Sequence, residues 1–124
     1  MAGPPAELVK NLPRMNGGAD FDYNMWSGYV GIPDTTKQIH YLLAESQSNP
    51  ATDPLIVWFN GGPGCSSMLA FIQEHGPWLI KDGTPHGAPM EKNDYSWNLE
   101  ANILYIEQPA GVGYSWCDRA NHPE

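Results

Sequence analysis

The residues with the clearest capacity for chemistry are contiguous: Trp58-Phe59-Asn60-Gly61-Gly62-Pro63-Gly64-Cys65-Ser66-Ser67. Adjacent glycines free the backbone for conformations that other residues resist and leave its N–H groups uncovered. Such a loop can aim donors at an anion or at an oxyanion as it develops. Asn60 stands directly before two glycines, a place that favours a site role over capping a turn. Ser66 and Ser67 fall where a helix is expected to begin, so capping is their expected role. Other serines offer less: Gly113-Tyr114-Ser115-Trp116-Cys117 approaches a G-x-S-x-G elbow, but Cys replaces the final Gly and residues 118–123 open no apolar helix. Ser115 is expected not to be a nucleophile.

A loop of this kind works only if rigid elements hold it. Leu55-Ile56-Val57 before it has the look of a buried strand, spanning 55–59. Residues 68–75 after it pattern as a helix that buries Met68, Phe71 and Ile72, stopped by Gly76-Pro77. On that helix Glu74 falls on the face shared with Ser67, Ala70 and Phe71. Upstream, residues 25–32 and 38–45 are aromatic and β-branched runs separated by Pro33-Asp34-Thr35-Thr36-Lys37, a β-hairpin pattern. Residues 1–24 are expected to form an arm packed on something else. Residues 78–80 make a short strand, 81–92 a polar loop, and 102–106 the last strand. No internal repeat and no domain linker interrupts residues 1–124, which are expected to form a single incomplete domain. The strand at 102–106 needs neighbours on both edges and cover on both faces, and one short helix cannot provide these.

Composition narrows the functions available. With 41% hydrophobic and 16% charged residues in 124, the chain is expected to be globular, and 13 Gly with 12 Pro make it loop-rich. A formal net charge of -8 leaves no basic surface for phosphates, so neither nucleic acid nor an anionic membrane is expected as partner. No segment is long and apolar enough to span a bilayer, no secretory leader is visible, and no Asn-x-Ser/Thr sequon occurs. Neither a cofactor nor a metal is expected: His40, His75, His86 and His122 are scattered, without metal spacing or an identifiable carboxylate partner. Each reads as a surface or strand residue. Cys65 and Cys117 are open to pairing with each other, pairing elsewhere or remaining reduced.

Four stretches together resemble the serine carboxypeptidase family of the α/β-hydrolase fold. They are Asn60 to Ser67; Glu74-His75-Gly76-Pro77; Tyr95-Ser96-Trp97-Asn98; and Gln108-Pro109-Ala110-Gly111-Val112-Gly113-Tyr114-Ser115, with Trp26 to Val30 and His40-Tyr41 fitting the opening hairpin. The resemblance runs from about Asn11 to Ser115 and implies the first part of such a fold, a mixed sheet cut before its second half. It implies hydrolysis at peptide C-termini through an acyl-enzyme that uses Ser, Asp and His. Gly62 is then the oxyanion N–H donor, a type of contribution worth about 3 kcal/mol. Asn60 and the N–H of Gly61 grip the terminal carboxylate, and Trp58 walls the pocket. Glu74 becomes half of a carboxyl pair that shares a proton at acid pH; without the resemblance it would read as a solvated helix residue.

The same resemblance implies that Cys65 forms a disulfide with a residue far downstream, so in this chain it is expected as a free thiol buried beside the site. Family habit places such proteins in the secretory pathway, the vacuole or lysosome, or outside the cell. The nucleophile, Asp and His match nothing in these residues, so the chain alone is expected to be inactive, with the rest of the fold as a candidate partner. Two further readings stand beside this one: an acyltransferase of the same family, and a non-catalytic truncated binding product.

Overall fold

The computed structural model describes residues 6–10, 12, 22–81, 83, 85 and 87–118. Seven strands and one helix follow in the order β1 (Glu7–Leu8), β2 (Met25–Gly31), β3 (Gln38–Ala44), β4 (Leu55–Trp58), α1 (Met68–Gln73), β5 (Trp78–Leu79), β6 (Glu91–Lys92) and β7 (Asn102–Ile106). The expected hairpin is β2 and β3, antiparallel and in register from Met25 opposite Ala44 to Gly31 opposite Gln38. β3 continues antiparallel onto β7, and β7 pairs parallel with β4, giving a sheet ordered β1-β2-β3-β7-β4. Because β4 and β7 are parallel, the loops that follow Trp58 and Ile106 leave the sheet at the same end.

Alternation along the strands decides which face carries the core. Met25, Leu42, Ala44, Ile103 and Tyr105 point to one face, where Ala70 and Phe71 of α1 cover them. Phe71 meets Tyr105 edge to face with ring centroids 5.3 Å apart. Val9, Leu12 and Tyr23 from the N-terminal segment also pack here, as the expected arm requires, and β1 adds an antiparallel edge to β2. Met68 and Ile72 are only partly buried; Ala70, which the helical pattern had not singled out, is fully buried. On the opposite face Val30, Ile39, Tyr41, Leu104 and Ile106 line an apolar groove of about 470 Å³. β4 is an edge strand whose Leu55 and Val57 are 58% and 44% exposed, which corrects the buried strand expected there: only β7 pairs with it.

Two further elements differ from the sequence expectation. α1 ends at Gln73, not at His75: the N–H groups of Glu74 and His75 both return to the carbonyl of Ala70, which turns the chain inward and ends the helical ladder. The polar stretch 81–92 contains a strand, because β5 needs a partner for its backbone groups and finds it in Glu91–Lys92. An ion pair of Lys81 with Glu91 closes that ribbon at the surface.

A 3-10 turn at Trp97–Leu99 precedes β7. Its Asn98 is fully buried and brackets two segments, donating from Nδ2 to the Glu45 carbonyl and accepting from Gln47 Nε2. The Tyr95-Ser96-Trp97-Asn98 motif thus has a structural use.

Candidate active-site loop

β4 delivers Trp58 and then Asn60 into the glycine loop. The indole N–H of Trp58 donates to Asn60 Oδ1 at 2.8 Å. With its carbonyl so engaged, the Asn60 amide is left to present its NH₂, a pair of donors suited to a carboxylate. The backbone N–H of Asn60 donates to Ser67 Oγ at 3.1 Å, and Ser67 Oγ donates to the Ile106 carbonyl at 2.6 Å. Ser67 is 1% exposed and makes no side-chain cap on α1. Its hydroxyl ties the glycine loop to the end of β7, which corrects the expected capping role. Ser66 does part of the capping, accepting from the Met68 N–H at 3.1 Å.

Gly62 sits at φ 136°, in the left-handed half of backbone space, and a Cβ there would come within 2.8 Å of Cys65 Sγ. Gly61 and Gly62 are exposed, and a Cβ on Gly61 would meet nothing within 4 Å. Cys65 N–H closes the turn onto the Gly61 carbonyl at 3.2 Å. Cys65 itself is an exposed free thiol, because this turn carries its side chain outward; the expected burial is corrected. Cys117 is also free.

Trp58 and Asn60 are hydrogen-bonded to each other, and Glu74 stands next in sequence to His75, whose ring packs on Trp58. At the C-cap of α1 Glu74 is exposed, off the face of Ala70 and Phe71 where the helical pattern had placed it. It lines a groove of about 400 Å³ with Gln73, Leu79, Ile80 and Lys81. Its neighbour His75 turns the other way and is itself buried, stacked on Tyr105 and on the half-exposed Trp97 and meeting Trp58 edge to face. Burial holds the His75 imidazole below the usual histidine range, against the opposing pull of Glu74.

The residue that sequence reasoning missed is Glu107. Its side chain is fully buried just past β7, and its carboxylate accepts from Ser66 Oγ and from the Tyr114 N–H at 2.8 Å, while Oε2 lies 2.9 Å from His40 Nδ1. A Cβ on Gly113 would collide with this carboxylate, so the Gly111-Val112-Gly113 stretch folds over it only as glycine. Burial pushes the Glu107 carboxyl up, but the hydrogen bonds from His40, Ser66 and Tyr114 outweigh it and leave the group below its ordinary value.

His40 is therefore a buried, paired residue and not the unpartnered strand histidine expected. Its Nε2 lies 2.8 Å from Ser27 Oγ. Ser27, His40 and Glu107 have the spacing of a Ser-His-acid relay. Each member serves the sheet end: Ser27 stands mid-strand on β2, and Ser115 Oγ closes the same network between the His40 N–H and the Glu107 carbonyl. Ser115 is buried there. The signal for Glu107 was its place directly after the last strand and before a glycine-rich loop. His86 and His122 lie outside the described residues. Among those described, no cluster of three or more His, Cys, Asp or Glu could hold a metal ion, and no helix is long and apolar enough to cross a membrane.

A strand-loop-helix carrying an exposed glycine turn, set beside a parallel strand, makes this a chain of the α/β class. The serine carboxypeptidase family model matches residues 13–123, and the chain belongs to that family. It is 45% identical over 117 residues to the lysosomal protective protein of Mus musculus, covering 94% of this chain and 23% of that protein. It is 48% identical over 111 residues to serine carboxypeptidase ctsa-3.1 of Caenorhabditis elegans, covering 89% and 18%. The fold is similar to the crystal structure of Kex1(delta)p, a prohormone-processing carboxypeptidase from Saccharomyces cerevisiae, with TM-score 0.61 and 32% identity over 76% of this chain and 21% of that one. The chain thus spans about a fifth of the length of these relatives.

Proposed function

We propose that these residues form the oxyanion and carboxylate-binding half of a serine carboxypeptidase active site, within a single incomplete domain. The observation that carries this reading is the Trp58 to Asn60 hydrogen bond, which engages the Asn60 carbonyl and leaves its NH₂ to donate beside two exposed glycines. In this reading Asn60 and the Gly61 N–H hold the terminal carboxylate of a peptide. The Gly62 N–H faces the carbonyl oxygen as it becomes an oxyanion, where a fixed donor lowers the barrier without reorganising. Trp58 forms the wall, and Glu74 supplies one carboxyl of a proton-sharing pair.

No residue of this chain is assigned as nucleophile, general base or orienting acid, so residues 1–124 bind but do not cleave. The second Glu and the triad belong to the rest of the fold, the partner this reading requires. An acidic compartment of the secretory pathway suits a site that grips a carboxylate with shared carboxyl protons.

The test is titration of the chain with a short peptide bearing a free C-terminus and with its C-terminal amide. Binding of the acid and not of the amide, lost in Asn60→Ala, is expected. Equal binding of both would overturn the carboxylate assignment. Treatment with a fluorophosphonate should leave the chain unlabelled, and labelling at Ser27 or Ser115 would show a nucleophile that this reading denies.

A further inference from the structure

The carboxylate grip has a support that its own residues do not explain. Asn60 is oriented by the Trp58 indole, so whatever fixes that indole sets the direction of the Asn60 donors. Two rings do so. His75 meets the Trp58 ring at 4.5 Å with planes 75° apart, and Trp97 meets it at 5.6 Å and 90°. His75 is itself stacked on Trp97 at 4.1 Å and 15°, and on Tyr105 at 5.6 Å and 16°. The imidazole is 6% exposed, and its backbone carbonyl is held by the Trp97 N–H at 3.0 Å.

We infer that His75 is a positioning residue of the carboxylate grip: clamped between Trp97 and Tyr105 as a neutral imidazole, it locks the Trp58 indole and through it the Asn60 amide. The inference rests on the assignment of Asn60 made above. His75 Nδ1 meets the Tyr105 hydroxyl at 3.1 Å, whereas Nε2 is buried with no hydrogen-bond partner among the described residues. A neutral ring can leave one nitrogen unpaired at modest cost. A protonated ring would place a second N–H and a charge where no acceptor waits.

The groups that face it are few. Trp58 comes from β4, Trp97 from the 3-10 turn, and Tyr105 from β7, where burial pushes the hydroxyl up and keeps it protonated. Glu74 at the cap of α1 carries the one charge among these four and favours the imidazolium, but burial outweighs it. The stack therefore holds Trp58 as long as His75 is neutral, a state that burial extends into mildly acidic conditions, and loosens only when stronger acid forces a proton onto the ring.

The readout is the indole N–H resonance of Trp58 in the 15N-labelled chain, assigned with Trp58→Phe, together with affinity for a free-acid peptide. His75→Ala should move that resonance and weaken the peptide by about fivefold, the scale of one hydrogen bond. His75→Phe keeps an aromatic plate and should restore both, while removing the response of the Trp58 resonance between about pH 7 and 4.5. An unmoved resonance in His75→Ala, or a pH response in His75→Phe equal to that of the parent chain, would overturn the inference. Should His75→Ala not fold, the His75→Phe titration decides alone. If the Trp58 resonance behaves as expected while the peptide acid binds no better than its amide, the Asn60 assignment falls and the positioning by His75 stands.

Discussion

His40 Nδ1 lies 2.9 Å from Glu107 Oε2, a contact between residues 67 apart in sequence and both withdrawn from solvent. It exists because β3 and β7 pair with Tyr41 opposite Ile106, which sets His40 and Glu107 next along the same ladder; the Glu107 N–H then donates to the His40 carbonyl at 3.0 Å. Through Ser66 the carboxylate reaches the start of α1, and through Tyr114 it reaches the final loop.

Glu107→Ala strips three donors of their acceptor in a closed site. The chain is expected to lose about 3–5 kcal/mol, as when one partner of a buried pair is removed. Glu107→Gln keeps the shape and can accept from fewer of the donors, so its loss should be smaller. Urea denaturation midpoints of the two variants test the order.

Acid should destabilise the chain in two windows. The depressed His75 stays neutral when folded, so its contribution is complete above about pH 6.5 and declines as pH falls below that. Glu107 is also depressed; its contribution is complete above about pH 4.5 and is lost as pH falls through its folded value. Melting temperature followed against pH should flatten in the upper window in His75→Phe and in the lower one in Glu107→Gln.

Ser67→Ala removes the hydroxyl that joins Asn60 to Ile106 and leaves a partly buried N–H and a partly buried carbonyl without this partner. A loss of about 1–3 kcal/mol is expected. Hydrogen exchange at the Asn60 amide should speed up in this variant more than exchange in the β2–β3 hairpin; equal effects would show a global change and not a local tie.

Gly62→Ala forces a Cβ onto a backbone at φ 136° and against Cys65 Sγ. A cost of about 1–3 kcal/mol is expected from the conformation. Replacing Cys65 by Ala in the same chain should recover only the part due to the clash. Melting temperatures of the single and double variants separate the two.

The hairpin and the strands β4 and β7 were legible because apolar and aromatic residues of the right period mark them directly. The glycine loop was legible because its chemistry is local. Glu107 and His40 were not: each looks like an ordinary polar residue until the β3–β7 register buries them together. The end of α1 at Glu74 and His75 was misread for a related reason. A 3.6-residue pattern carries α1 two residues too far, whereas the packing of His75 on the Trp58, Trp97 and Tyr105 rings goes with its end at Gln73. Cys65 depended on the outward direction of one tight turn, which residue type alone does not specify.

The parallel pairing of β4 and β7 has a consequence for how such a chain can change. Asn60 to Gly62 and Gln108 to Tyr114 are rooted in adjacent strands and emerge side by side, yet the ladder that holds them involves neither loop. Gly62 is fixed by its backbone, and Gly113 and Tyr114 by the Glu107 carboxylate, but the positions between these ties can change while the strands beneath keep their register. Variation can thus concentrate in two short segments set side by side, like tool bits in a common handle, while the frame of strands stays folded.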